Sequence, residues 1–138
     1  MSRILAGLAL AGLMFVAGCG GGIKPPDIFI VQRTGSVAGA RLTLLVNEEG
    51  GVKCNGGPTL KLSDSALVQA RAIQEELKEP ASEHTSLPPR AGSTLSYLLQ
   101  DENGSVRFSD NSAGQLKVFH NLALLVLQTA QQICHLPL

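Results

Sequence analysis

The chain has 138 residues, with 11 basic and 11 acidic side chains and a formal net charge of zero. Because the charges balance and no stretch of the chain is strongly basic, the sequence does not indicate nucleic-acid binding. The length suits a single domain. Tryptophan is absent and aromatic residues make up only 4% of the chain, so aliphatic side chains must fill the core.

The N-terminal segment, residues 1–18, has the features of an export signal. Arg3 precedes about 13 mostly apolar residues that begin at Ile4, a run too short to span a bilayer and typical of a secretory signal. Its end, Val16-Ala17-Gly18-Cys19, resembles the lipobox of bacterial lipoproteins. That resemblance implies cleavage before Cys19 and a diacylglyceryl group on its sulfur, and two acyl chains such as palmitate suffice for stable anchoring. The alternative is an ordinary secretory signal, with Cys19 present by chance.

The cysteine count and the following segment fit this anchor. Three cysteines in an exported chain leave one unpaired. If Cys19 carries lipid, Cys54 and Cys134 remain, and we expect them to form a disulfide. Residues 19–26, rich in glycine and proline, predict a flexible tether between the lipid and a domain at 27–138. The expected location is the cell membrane or outer envelope, lipid-anchored and outside the cytoplasm.

The domain begins with a predicted hairpin. Residues 28–33 are β-branched and aromatic, which indicates a strand. Residues 41–46 alternate, so Leu42, Leu44 and Val46 would share one face of a second strand. The turn-rich segment Thr34–Ala40 makes an antiparallel hairpin the economical connection. Residues 52–55 predict a short third strand.

A helix and a long loop follow. Ser63-Asp64-Ser65 offers N-cap side chains for a helix that we expect to reach about Lys78 and to be ended by Pro80. Ala81–Gly92, which contains prolines and small polar residues, predicts a surface loop. Its length is compatible with a binding loop and equally with disorder.

A second hairpin and a final helix complete the pattern. Asn103-Gly104 is a strong turn signal between strands at 93–101 and 105–109. We expect Ser109–Ser112 to cap a helix from about Gln115 to Cys134. Its apolar residues recur at helical spacing and form the expected buried stripe: Phe119, Leu122, Val126, Ala130 and Ile133. The order β-β-(β)-α-β-β-α predicts an α+β fold, an antiparallel sheet of four to five strands from two hairpins, covered on one face by two helices.

The sequence contains no complete motif for catalysis or metal binding. His84, His120 and His135 lack the spacing of a zinc site. Ser109-Asp110-Asn111 coincides with one motif of serine penicillin-recognising enzymes, but the Ser-x-x-Lys and Lys-Thr-Gly motifs are absent. The prediction is therefore a protein that is not an enzyme, with no catalytic residues, metal site or cofactor.

Several segments together resemble a known family. They are residues 31–39 at the first turn, Leu87-Pro88-Pro89, the hairpin from Tyr97 to Val106, Ser109-Asp110-Asn111 and the leucine-rich final helix. In order and spacing these segments are similar to emfourin-like proteins, small bacterial inhibitors of thermolysin-like metalloproteases. The lipid signal, the cysteine pair and the insert Val52–Pro58 depart from that pattern, so no inhibitory residues are carried over.

The combined expectation is a cell-envelope lipoprotein whose domain binds a protein partner. The resemblance implies that this partner is an extracellular thermolysin-like protease. Two segments rich in glycine or proline and without core residues are the contact candidates. Their residues are Thr34, Gly35 and Ser36 in the first turn, and Leu87, Pro88 and Pro89 in the long loop. The alternative is a structural envelope lipoprotein without inhibitory activity.

Overall fold

A computed structural model describes residues 27–137 of the chain. The predicted signal peptide and tether, and Cys19 with its expected lipid, lie outside the described residues. The elements in chain order are β1 (Asp27–Gly35), β2 (Leu42–Asn47), β3 (Gly51–Cys54), β4 (Leu60–Lys61), α1 (Asp64–Ser82), β5 (Leu95–Gln100), β6 (Ser105–Ser109) and α2 (Lys117–Gln132).

The strands form one antiparallel sheet in the order β4-β3-β2-β1-β5-β6. The predicted α+β class is confirmed, and the sheet has six strands rather than four or five. The additional strand is β4, whose two residues pair with β3 and are too short to show a periodicity in the sequence.

One face of the sheet carries the core. Successive side chains of a strand point to opposite faces, and Leu42, Leu44 and Val46 of β2 are all buried, as predicted. Gln32 and Lys53 point to the other face and are exposed. The buried side chains of α1 and α2 join those of the strands in a single apolar cluster.

The first helix begins as predicted and ends later. The Ser63 hydroxyl accepts a hydrogen bond from the Ala66 amide at 3.2 Å, which caps α1. The helix does not end at Pro80 but continues to Ser82. Pro80 removes one intrahelical donor, yet Pro80 and Ala81 are both buried. Their burial offsets the missing hydrogen bond, which the sequence rule did not take into account.

The second helix follows its predicted stripe but not its predicted cap. Phe119, Leu122 and Val126 are fully buried. The N-cap residue is Leu116, which has no side-chain capping hydrogen bond, so the expected capping by Ser109–Ser112 is wrong. Within residues 27–137, none of the helices combines the length and the apolar character that crossing a membrane requires.

Candidate functional site

The first predicted contact segment is anchored to β5. Thr34, Gly35 and Ser36 are exposed, but Thr34 and Gly35 are the last residues of β1, paired with Ser96 and Leu95, and only Ser36 lies in the turn that follows the strand. The Ser36 amide donates to the Thr94 carbonyl at 3.1 Å. A β-carbon on Gly35 would collide with that same carbonyl oxygen, so only glycine allows the backbones to approach this closely. The turn is therefore held against the start of β5.

The second predicted contact segment is an ordered loop along β6. It begins at Glu83, since the first two residues of the expected loop belong to α1. The Leu87 amide donates to the Arg107 carbonyl at 2.8 Å, and the Ser112 hydroxyl donates to the Leu87 carbonyl at 3.1 Å. Leu87 is half-buried, whereas Pro88 and Pro89 are exposed. The two prolines therefore project from a segment that is fixed on the strand side.

Asp110 connects the long loop to the first turn. Its carboxylate accepts hydrogen bonds from the Ser93 hydroxyl at 2.8 Å, the Thr94 hydroxyl at 2.6 Å and the Thr94 amide at 3.0 Å. Burial alone would raise the pKa of Asp110, but the hydrogen bonds from Thr94 and Ser93 outweigh it and hold the pKa below its ordinary value. The Ser-Asp-Asn tripeptide therefore organises the loop that carries Thr94, to which the first turn is bonded.

Beside the first turn lies a cavity of about 370 Å³ that the sequence analysis did not predict. It lies between the ends of β1 and β5 on one side and α2 on the other. Its lining residues are mainly apolar: Arg33, Val37, Leu95, Tyr97, Ala123, Leu124 and Leu127. Val37 and Leu124 form its exposed rim, with 45% and 47% of their surface accessible.

Arg33 brings a buried cation to this cavity. Only 1% of its surface is exposed, because it occupies a core-facing position of β1. The guanidinium donates from Nε to the Ala40 carbonyl at 2.9 Å and from Nη2 to the Gly39 carbonyl at 3.1 Å. Among residues 27–137, no carboxylate forms an ion pair with it. Burial lowers the pKa of Arg33, and the nearby Tyr97 partly opposes this shift.

Tyr97 is the direct cross-strand partner of Arg33. Its ring stacks on Phe108 with 4.9 Å between the centroids, and Phe108 stacks in the same way on Phe119 of α2. This column of rings fixes the tyrosine in place. Burial raises the pKa of Tyr97, while Arg33 lowers it by a smaller amount.

The Cys54–Cys134 disulfide lies in a different part of the domain. It joins β3 to the segment after α2, with 6.0 Å between the two Cα atoms, and so bears out the predicted pairing. The Cys134 amide also donates to the Thr129 carbonyl, which continues the helical turn. The bridge fixes the end of α2 to the sheet.

The histidines do not converge. His84 Nδ1 lies 3.3 Å from the Ser105 hydroxyl, and in the part of the chain that the structure describes no group of three or more histidine, cysteine or acidic side chains is placed to hold a metal ion.

Comparison of the chain with protein-family models, with curated proteins and with solved structures finds no match. One signal in the sequence points to the cavity: the alternation Phe29, Val31, Arg33 places a charged side chain in series with two core residues.

Proposed function

We propose that the protein is a cell-envelope lipoprotein, anchored through Cys19, whose extracytoplasmic domain binds a protein partner. The disulfide is the observation that carries this proposal. Disulfides persist in oxidising compartments outside the cytoplasm. Pairing of Cys54 with Cys134 also leaves Cys19 as the one remaining thiol, at the position where a lipobox requires it.

The short tether restricts where the partner can be. Residues 19–26 reach at most about 29 Å when fully extended. A domain attached in this way stays close to the membrane surface. Its partner is then a protein that is also present at that surface or that arrives there.

The contact surface of this proposal is the first turn together with the cavity rim. Val37 belongs to the turn, Leu124 belongs to α2, and both are large exposed apolar side chains beside the same cavity. Clustered exposed apolar residues are typical of interaction surfaces. Thr34, Gly35 and Ser36 extend this surface with polar groups and backbone that the bond to Thr94 holds in one conformation. A rigid surface loses little conformational entropy on binding.

The class of partner that we propose is a thermolysin-like metalloprotease, on the strength of the resemblance to emfourin-like proteins. Residues 19–138 with Cys19→Ser, added in micromolar excess, should slow peptide cleavage by such a protease. Val37→Asp should abolish the inhibition, because it introduces a charge into the apolar contact. Val68→Asp is the matched control, since Val68 is a valine on α1 with 65% of its surface exposed, away from the cavity.

The alternative function is a structural one, in which the domain docks onto another envelope component. Unchanged cleavage rates at micromolar excess would favour it over inhibition. Cross-linking at Val37 in intact cells would then identify the component.

The anchor is tested separately. Cys19→Ser should move the protein out of the membrane fraction, because the lipid would have no attachment point. Retention of the variant in that fraction would contradict lipidation.

A further inference from the structure

The cavity beside the first turn has one property that the proposed protein contact does not use, namely its buried positive charge. A cation removed from water is costly unless a counter-ion or hydrogen bonds compensate it. The Arg33 guanidinium has two backbone carbonyls as acceptors, but among residues 27–137 it has no ion-paired carboxylate. Within the described residues the positive charge of Arg33 is thus compensated by hydrogen bonds but not by an ion pair, which favours an anion over a cation in the cavity.

Unused donors accompany this charge. Within residues 27–137 the guanidinium donates hydrogen bonds from Nε and Nη2, which leaves Nη1 available. The Tyr97 hydroxyl likewise donates no hydrogen bond within residues 27–137. No side-chain nitrogen or oxygen of the described residues is both fully enclosed and unpaired. Neither group is therefore completely enclosed, and both residues line the cavity.

The other residues that line the cavity indicate which chemical group the ligand carries besides its anionic group. Val37, Leu95 and Leu127, with their neighbours on α2, present an almost wholly apolar wall. A peptide bound there would bury amide and carbonyl groups that need hydrogen-bond partners. An alkyl chain has no such groups and gains from burial against this wall. At about 370 Å³ the cavity is at the small end of the usual range for ligand sites.

We propose that this cavity binds a medium-chain fatty acid, with Arg33 and Tyr97 holding its carboxylate and the apolar wall holding its acyl chain. A guanidinium is well suited to a carboxylate because its planar donors match the two oxygens. The proposal goes beyond the proposed function, since the cavity would take this ligand whether or not a protein partner binds at its rim.

The protein provides its own probe for this binding. Tyr97 is the single tyrosine of the chain, and tryptophan is absent, so the tyrosine fluorescence reports on the cavity alone. Full-length protein in phosphatidylcholine bicelles is titrated with decanoate and separately with decyltrimethylammonium, whose chain has the same length and whose charge is opposite. Decanoate should give a saturable change in tyrosine fluorescence. Its half-saturation concentration should be lower than that of decyltrimethylammonium by about tenfold or more. Equal values for the two amphiphiles would overturn the proposal.

A charge at the rim separates specific binding from partition into the bicelle. Leu124→Glu should weaken decanoate binding by about tenfold, because like charges repel, and should not weaken binding of the cation. Val68→Glu is the matched control, an exposed aliphatic residue that does not line the cavity, and it should leave both titrations unchanged. The proposal fails if the two variants behave alike. It also fails if the tripeptide Ala-Ala-Leu, which carries a free carboxylate, binds more tightly than decanoate.

Discussion

Arg33 and Tyr97 face each other across β1 and β5, and burial shifts their pKa values in opposite directions. The cause is the same for both, since a low-polarity environment disfavours the charged form of either group. The pair therefore keeps a positive charge and a neutral phenol side by side under ordinary conditions. The wall around them separates both groups from most of the solvent.

The first prediction concerns the ionisation of Tyr97. The groups that face the phenol are Arg33 on β1, which favours the phenolate, and Asp110 after β6, which disfavours it, but burial is the largest effect. Absorbance titration of the folded chain should give a midpoint above the ordinary value for tyrosine. The same titration in urea serves as the unfolded control, and it is unambiguous because the chain has one tyrosine.

This shift also predicts how stability depends on pH. Because the pKa is higher in the folded state, the contribution of Tyr97 is fully present below about pH 10 and is lost as the pH rises through the folded value. Tyr97→Phe should remove this part of the alkaline loss of unfolding free energy. A folded midpoint at or below that of the urea sample would contradict both expectations.

The second prediction concerns the disulfide. The Cys54–Cys134 bridge closes a loop with a sequence separation of 80 residues. In the chain-entropy model such a loop contributes about 4.5 kcal/mol. Replacing both cysteines by serine should lower the free energy of unfolding in urea by up to that amount. Cys19→Ser is the control and should leave the unfolding free energy unchanged, and a similar loss in both variants would exclude the bridge as the cause.

The third prediction concerns Gly35. A β-carbon there would meet the Thr94 carbonyl, which is backbone and cannot move aside as a flexible side chain can. Gly35→Ala should therefore cost about 1–3 kcal/mol of unfolding free energy and disturb the first turn. In Gly57→Ala the new β-carbon would lie 3.1 Å from the Cys54 carbonyl, so a smaller cost is expected. Equal losses in the two variants would mean that the contact with Thr94 is not the decisive one.

The fourth prediction concerns Asp110. Its carboxylate accepts hydrogen bonds from Ser93 and Thr94 that hold its pKa below the ordinary value. Asp110→Ala should lower the free energy of unfolding by about 1 kcal/mol near neutral pH, a modest figure because the group is exposed and water screens it.

The acid side of this dependence has a defined sign. A lowered folded pKa stabilises the protein above about pH 4, and this contribution is lost as the pH falls through the folded value. The difference in unfolding free energy between the parent chain and Asp110→Ala, measured in urea, should therefore become smaller as the pH falls. Glu76→Gln, at an exposed position of α1, is the control. A difference that is constant across this range would show that the ionised carboxylate is not what stabilises the loop.

The sequence predicted the helices and strands well where buried residues recur at the regular spacing of a strand or a helix. The alternation in β2 and the apolar stripe of α2 both emerged as core, because one face of each element must be removed from water. Ser63 caps α1 because the cap needs only a hydroxyl three residues from an unpaired amide. Such interactions join residues close in sequence and can be inferred without the fold.

Predictions failed where a distant contact outweighed a local preference. Pro80 ends a helix by local rules, but here its burial and that of Ala81 against the core let α1 continue for another two residues. Ser109–Ser112 has the composition of a helix cap, but its side chains are used by the loop from Leu87 to Thr94, which β6 brings within reach. Neither result follows from sequence spacing alone.

The sequence by itself determined the order of the elements apart from β4, and the sheet-and-helix class, because these depend on periodicity. It also predicted the pairing of Cys54 with Cys134, once the lipobox pattern had set Cys19 apart. Only the tertiary structure decided that Arg33, Tyr97 and Leu124 surround one cavity. Their sequence separations are large, and the register of β1 against β5, together with the packing of α2 over both, brings them together. The buried charge at Arg33 is visible in the sequence, but the space beside it exists only after the chain has folded.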